Sequence, residues 1–265
     1  MDSDDIASNL YQYARRWVFF EPKEYDEYTS PDCVCSHSRK AIIEAIERLL
    51  PHDQSILPCA SLSKMLQNAR ILEANVICRD GFEVRIGRQL DTATMSDLLI
   101  ATQGCCSKEE NYDTECVRRI LKHFHTSLTM KDQSKLAIVV ELVKDYLWEA
   151  ANDINLTKES FLSLAEMLIT ESEETEGSSD GIYRAIDIYL NKHRGLTKSE
   201  RKEICAVLDC NKMSPEAREE AARNVRLPVR TVLQVLFVEQ LKLREMIMKE
   251  VVLQNADLQR REAKV

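Results

Sequence analysis

Apolar residues recur along this chain at the three- and four-residue steps that are typical of amphipathic helices. The clearest stripe follows residue 180, where apolar side chains stand at i, i+3, i+4, i+7 and i+8: Ile182, Ala185, Ile186, Tyr189 and Leu190. Gly195 stands where such a helix is expected to end. The pattern predicts one helix over this stripe.

Three further helix starts follow within the next 35 or so positions of the chain. Thr197 and Glu200 have the spacing of a capping box, in which each side chain satisfies a free backbone donor. Ser214-Pro215 pairs a capping hydroxyl with a proline that needs no N–H donor at the first helical position. Leu227-Pro228 begins a long helix that is predicted to continue to Leu258.

The earlier part of the chain repeats the helical pattern in shorter pieces. Arg79-Asp80-Gly81 is interpreted as a break between two of them, and Thr157 as the cap of a later one. The run that ends at Ala151 is apolar on more than one face, which predicts that neighbouring helices cover it on several sides. The predicted runs are Ile6 to Trp17, Lys40 to Leu50, Ser61 to Leu72, Phe82 to Leu90, Met95 to Ile100, Cys116 to His125 and Lys135 to Ala151.

Two polar gaps, Gln103 to Asn111 and Thr170 to Asp180, interrupt these helices. We predict one helical domain over residues 1–249, with sub-bundles at 1–102 and 112–249 as an alternative, and a helical tail over 250–265. In the long last helix, Val232 to Leu243 is expected to pack into the core, with Leu236 buried. The tail after Lys249 has a weaker apolar stripe and is expected to fray or to form a coiled coil with another helix.

Composition favours an all-α fold, an irregular multi-helix bundle or array with a long C-terminal helix. The 265 residues include only six glycines and six prolines, and 44% are hydrophobic, enough for a substantial core. A formal charge of −8 argues against a nucleic-acid partner, because such surfaces are usually basic. No apolar run is long enough to predict a transmembrane segment, and no secretory signal is recognisable, so we expect a cytoplasmic protein with reduced cysteines.

The sequence predicts neither an enzyme nor a bound cofactor or metal. It contains no glycine-rich phosphate loop, no nucleophile elbow and no zinc-protease motif, although a catalytic triad assembled from distant residues stays open. Cys33, Cys35 and His37 form the one metal-like cluster, but their spacing is poor for zinc and no second pair follows. His123 and His125 stand two apart on a predicted helix and so point to different faces.

Several segments, in a fixed order from about Asp5 to Lys249, resemble the plant non-phototropic hypocotyl (root phototropism type) domain family. The resemblance is carried by Tyr13-Ala14-Arg15-Arg16-Trp17, Leu57-Pro58-Cys59, Arg85 to Asp91 with Asp97 to Ile100, Tyr183 to Leu190, Leu208-Asp209-Cys210, and Leu227 to Arg244. The chain departs from the family at His193-Arg194-Gly195, where the middle position is commonly proline.

The resemblance implies a signalling adaptor that recognises substrates for cullin-three ubiquitin ligases in phototropism or auxin signalling. It implies protein clients such as photoreceptor kinases or auxin-transport components, with peripheral attachment at the plasma membrane as an alternative location. Family members usually carry a BTB domain that recruits cullin-three, and no segment of this chain resembles it. A scaffold without a ubiquitin role is therefore the alternative function, and an unrecognised enzyme is the third.

The resemblance also implies a phosphotyrosine at Tyr189, with Tyr183 as second choice. The apolar stripe predicts that Tyr189 is a core residue with its hydroxyl at the rim. Tyr183 lies off this stripe and is expected to be easier for a kinase to reach.

Overall fold

The computed structural model describes residues 3–19, 33–51, 56–102, 112–128, 133–174 and 178–262. These residues form twelve α-helices and two short 3₁₀ turns. Within these ranges the only β-type pairing is an isolated antiparallel bridge between Ala101 and Tyr112. The predicted all-α fold with a long C-terminal helix is confirmed.

The chain divides into two compact units, Met1–Ser160 and Phe161–Val265. The first contains α1 (Ser3–Trp17), α2 (Cys33–Leu49), α3 (Cys59–Ile71), α4 (Val76–Arg88), α5 (Met95–Leu98), α6 (Thr114–Ser127) and α7 (Gln133–Ala150). The second contains almost all of α8 (Lys158–Glu174), then α9 (Asp180–Lys192), α10 (Lys198–Ala206), α11 (Pro215–Arg223) and α12 (Val229–Glu262). The predicted limits of the domain, its sub-bundles and its tail stay predictions.

Helix α4 lies at the centre of the first unit and packs against α2, α3 and α6. Phe82 and Ile86 are fully buried there. The predicted break at Arg79-Asp80-Gly81 is wrong, because α4 begins at Val76 and continues through Gly81. A Cβ at Gly81 would stand 2.1 Å from the Glu47 carboxylate of α2, so this glycine serves helix packing and does not end a helix.

Gly87 allows the close approach of α4 to α6. A Cβ at this position would lie 2.8 Å from the backbone oxygen of Ile120 and 2.7 Å from the Cβ of His123. Backbone atoms in a packed helix cannot rotate away as a side chain can. Only glycine fits this contact without moving α6.

Helix α7 is buried on more than one face, as its sequence predicted. Leu136, Val139, Val143 and Leu147 are buried, and so are Leu142 and Tyr146 on the neighbouring side. Ile138 is the exception, at 51% exposed. The helix packs against α5 and the 3₁₀ turn at Leu90–Thr92.

Two predicted helix starts of the second half, at Thr197 and at Ser214, are confirmed by their caps, and α12 begins at Val229, directly after the predicted Leu227-Pro228 start. The backbone N–H of Thr197 donates to Glu200 at 2.8 Å, while the Thr197 hydroxyl accepts from the Glu200 N–H at 3.2 Å. Ser214 accepts from the backbone N–H of Ala217 at 3.1 Å, with Pro215 in the first turn. At the start of α8, Thr157 accepts from the backbone N–H of Ser160 at 3.2 Å.

Helix α12 presents only one of its apolar faces to its own unit. Thr231, Val235 and Val238 are buried, and α12 packs there against α10 and α11. Leu236 is 48% exposed, so the prediction that it belongs to the core is wrong. The sequence shows apolar residues around most of this helix, but only one stripe has neighbours to bury it.

Candidate interaction surfaces

The segment from Arg85 to Asp97, which carries part of the family resemblance, forms hydrogen bonds to the ends of helices and to the loops beside them in the first unit. The guanidinium of Arg85 donates to the carbonyl oxygens of Pro51 at 2.8 Å and Leu50 at 3.1 Å, which closes the C-terminal end of α2. The amide of Gln89 donates to the Leu57 carbonyl at 2.8 Å. These bonds satisfy buried backbone groups, so the motif is structural.

Asp97 completes the same framework. Its carboxylate accepts from the backbone N–H of Thr94 at 2.9 Å, and its carbonyl oxygen accepts from Ser63 of α3 at 2.5 Å. The result is a capped α5 held against α3.

Tyr189 is the middle ring of an aromatic stack. Its ring centroid lies 4.4 Å from that of Phe161 and 3.8 Å from that of His193. The side chain is only 1% exposed, which confirms the prediction of a core aromatic. Phosphorylation of Tyr189 stays a prediction, and a kinase would have to open α9 to reach the ring.

Tyr183 belongs to a polar network between α9 and the turn after α11. The amide nitrogen of Asn224 donates to the Tyr183 hydroxyl at 3.2 Å and to the Asp187 carboxylate at 2.6 Å. Arg226 donates to the same carboxylate at 2.8 Å. Tyr183 is 3% exposed, so the expectation of a more accessible tyrosine is wrong. Asn224, which contacts its hydroxyl, lies 41 positions away in the sequence, so no local pattern could reveal this contact.

The buried cysteines carry protonated thiols. Burial raises the pKa of Cys59 to about 11 and that of Cys78 to about 12. Burial also raises the pKa of Cys205 to about 11, and that of Cys116 further still. A thiol nucleophile needs a lowered pKa, so these four are packing residues.

One group in the described part of the chain has the composition of a metal site: Asp80, Glu83 and His123. The Nε2 of His123 lies 3.3 Å from Asp80. Both oxygens of Glu83, however, accept from Arg119 at 2.7 and 2.8 Å, and this bond raises the Arg119 pKa. The carboxylate is thus neutralised by a protein cation, and the group is a polar cluster built on the Glu83–Arg119 ion pair between α4 and α6. Periodicity could not reveal it, because the two helices meet only in the fold.

The cluster of Cys33, Cys35 and His37 begins α2. His37 is exposed, while the side chains of the two cysteines lie outside the described residues. The prediction that no metal binds there stays a prediction.

Two exposed apolar surfaces are the strongest candidates for binding another protein. We call the first the α3–α4 corner, which consists of Ile71, Val76 and Ile77 at 57, 69 and 79% exposed. Its turn is held by Asn75, which caps α4 through the N–H of Cys78 at 2.8 Å and donates its own N–H to Glu44 at 2.8 Å. Two hydrogen bonds thus fix a turn that is flanked by three exposed aliphatic side chains, and exposed apolar surface of this kind is where protein partners bind when it is contiguous.

The second surface is the outer stripe of α12, defined as Val229, Leu233, Leu236, Gln240, Leu243 and Ile247. Its five apolar members are between 48 and 75% exposed.

Comparison with known proteins identifies the family to which this chain belongs. The sequence model of the NPH3 family matches residues 1–218, most of the chain. The chain belongs to the NPH3 family. Two BTB/POZ domain-containing proteins of Arabidopsis thaliana are 40 and 38% identical to it over 248 and 250 residues. Each alignment covers 93% of the chain and 47 or 44% of the relative.

Another Arabidopsis thaliana relative, the BTB/POZ domain-containing protein SR1IP1, is 38% identical over 217 residues. That alignment covers 78% of this NPH3-family chain and 35% of the relative. The chain therefore spans about half the length, or less, of these curated relatives. No solved structure matches it. In the described part of the chain, no helix combines the length and apolar character needed to span a membrane.

Proposed function

We propose that this chain is the client-binding part of an adaptor of the kind that serves cullin-three ubiquitin ligases. The observation that carries the proposal is the family match over 1–218 together with relatives named for a BTB/POZ domain. By resemblance, the BTB domain contacts the ligase and the helical domain selects the client. Membrane photoreceptor kinases and auxin-transport components are the clients that the resemblance implies.

The described residues support binding better than catalysis. Cys59, Cys78, Cys116 and Cys205 are buried with raised pKa values, and the one acid–histidine group is held by Arg119. The turn of the exposed apolar α3–α4 corner, by contrast, is already fixed by the two hydrogen bonds of Asn75 in the free chain. A preformed surface loses little conformational entropy on binding.

A scaffold without a ubiquitin role is the alternative function. It would use the same client surface and differ only in lacking a productive link to the ligase. Between the adaptor and the scaffold, the BTB/POZ names of the relatives favour the adaptor.

Two binding titrations test the proposal. Purified cullin-three should not bind this 265-residue chain alone, because by resemblance the cullin contact belongs to the BTB domain. The cytosolic part of a photoreceptor kinase, as the probe client, should bind it. Tight cullin-three binding would contradict the division of labour, and an absence of client binding would remove photoreceptor kinases from the proposal.

The surface is tested with a matched pair of variants. Ile77→Glu places a charge in the α3–α4 corner and should weaken client binding at least about tenfold. Ile154→Glu is the control, because Ile154 is 60% exposed in the loop before α8 and lies outside the corner. Equal client affinity of the two variants would exclude the corner as the client surface.

A further inference from the structure

The outer stripe of α12 has the spacing of a coiled-coil seam. Its six residues follow one another at steps of four, three, four, three and four, from Val229 to Ile247. The buried residues Thr231, Val235 and Val238 lie on the opposite face of the helix. A second helix can therefore occupy the outer stripe without competing with the packing of α12 on its own unit.

The positions beside the seam identify the helix that fits. In a parallel pair of identical helices, the residue just before every second core position, here Leu233, Gln240 and Ile247, faces the residue five places later on the other helix. Here this rule pairs Glu239 with Arg244 of the second copy, which are opposite charges. It also pairs Val232 with Phe237, and Met246 with Val251, which are apolar on both sides.

Phe237, Met246 and Val251 are 60, 58 and 45% exposed, so these flanking contacts are open in the single chain. Each of the three flanking pairs thus joins either two apolar residues or two opposite charges, and none joins like charges.

The surroundings of Glu239 strengthen the electrostatic match. A groove of about 510 Å³ between α11 and α12 opens beside Leu236 and Glu239. Glu216 and Glu219 of α11 line it, while its two arginines, Arg218 and Arg223, already pair with Glu239 and Glu219. The lining thus carries three carboxylates and two guanidinium groups, a surplus of one negative charge, at the place where an arginine from a second α12 would lie.

Gln240 gives the seam its one polar layer. The other five core positions are aliphatic, and a single polar residue in such a seam fixes the register and number of chains at some cost in stability. The aliphatic repeat fades beyond Ile247, where Glu250 and Gln254 occupy the next core positions and hydrogen-bond to each other at 3.2 Å. The seam is short, but packing of its opposite face holds the first part of α12 helical, so association does not have to form this helix.

We propose that the outer stripe of α12 is a self-association surface on which a second copy of this chain docks as a parallel, in-register coiled coil. The proposal concerns a face other than the α3–α4 corner and does not depend on the identity of any client.

Sedimentation equilibrium of the full chain from about 1 to about 100 μM tests self-association. The expected result is a monomer–dimer equilibrium. Leu243→Glu should weaken it at least about tenfold by placing a charge in the seam. The control is Ile138→Glu, since Ile138 is also half exposed on a helix but lies in α7. Circular dichroism should show that both variants keep the wild-type helix content, because both positions are exposed.

Two further variants test the register. Gln240→Leu should tighten the dimer by removing the polar layer, and Arg244→Glu should weaken it by facing Glu239, whereas Arg244→Lys should retain it. A chain that stays monomeric throughout the concentration range would overturn the proposal and leave the stripe to a different protein. Equal effects of Leu243→Glu and Ile138→Glu would also overturn it. A dimer that Arg244→Glu does not weaken would exclude the parallel register.

Discussion

At the scale of single residues, this structure assigns most of the distinctive positions of the chain to packing and hydrogen bonding. Arg85 closes a helix end, Gly87 admits a neighbouring backbone, and Asn224 joins Tyr183 to Asp187. Each role depends on one side chain, or on the lack of one. Single substitutions therefore test them directly.

We expect Gly87→Ala to destabilise the first unit more than Gly81→Ala. The new methyl group at residue 87 meets backbone atoms of Ile120 and Phe124, and overpacking of this kind costs roughly 1–3 kcal/mol. At residue 81 it meets the end of the Glu47 side chain, which can rotate at the expense of its contact with Arg85. The urea midpoints of the two variants decide the order, and a larger loss for Gly81→Ala would contradict it.

Tyr189 should be a poor kinase substrate in the folded chain. A phosphate carries roughly two negative charges and cannot be accommodated between the rings of Phe161 and His193 without opening α9. We expect a broad-specificity tyrosine kinase to modify Tyr189 in a synthetic peptide of residues 181–193 and to leave it unmodified in the native chain. Mass spectrometry of both reactions provides the measurement. Stoichiometric modification of the folded chain would show that α9 opens readily.

At the scale of one element, α12 shows why an apolar residue in a helix is not always a core residue. Val235 is completely buried, whereas its neighbour Leu236 is half exposed. The two side chains differ by one step of about 100° around the helix, and only one direction leads to the second unit's own core.

Val235→Asp should unfold the second unit, while Leu236→Asp should leave it folded. The first change buries an unpaired carboxylate, and an uncompensated buried charge costs roughly 3–5 kcal/mol of folding free energy. The second places the charge in water and should change the free energy of unfolding by less than about 0.5 kcal/mol. Thermal unfolding at a concentration where monomers dominate gives the answer. Similar melting temperatures for both variants would contradict the observed burial.

The tail of the same element remains a prediction. Deletion of residues 254–265 should leave the melting temperature nearly unchanged, because the aliphatic repeat of the outer stripe has already faded at Glu250 and Gln254. A loss of stability comparable to that of Val235→Asp would show that the tail packs on the folded body.

At the scale of the whole molecule, the buried thiols link stability to alkaline pH. Folding raises the pKa of Cys78 from an ordinary value of 9.0 to about 12 and that of Cys59 to about 11. An acid with a raised pKa in the folded state keeps its proton there longer than in the unfolded state. Its contribution to stability is therefore complete below pH 9 and is lost as pH rises toward the folded pKa.

We expect the urea midpoint to fall between pH 9 and pH 10.5, with each fully buried thiol contributing up to about 1.4 kcal/mol per pH unit. Cys78→Ala should reduce the slope of this fall, because one such thiol is gone. Iodoacetamide labelling with peptide mapping should likewise leave Cys59 and Cys78 unmodified in the native chain at pH 8. Rapid labelling of either residue would contradict its burial.

Most helices, several of their caps and the order of family motifs were predictable from the sequence because all three are local. The capping box at Thr197 and Glu200 needs residues three apart, and the stripe around Tyr189 lies within a single helix. Composition alone favoured a helical fold for the same reason: few glycines and prolines interrupt the periodic runs. The family resemblance could be recognised from the sequence because it consists of these local motifs in a fixed order.

Only the tertiary structure decided which apolar faces are covered and which polar groups meet. Asn224, 41 positions away in the chain, donates to the hydroxyl of the buried Tyr183. Gly81 leaves room inside α4 for the side chain of Glu47 from α2. Leu236 has the same local pattern as a core residue but faces away from its own unit. Periodicity specifies that a helix has an apolar face, whereas burial depends on which distant element occupies the space beside it.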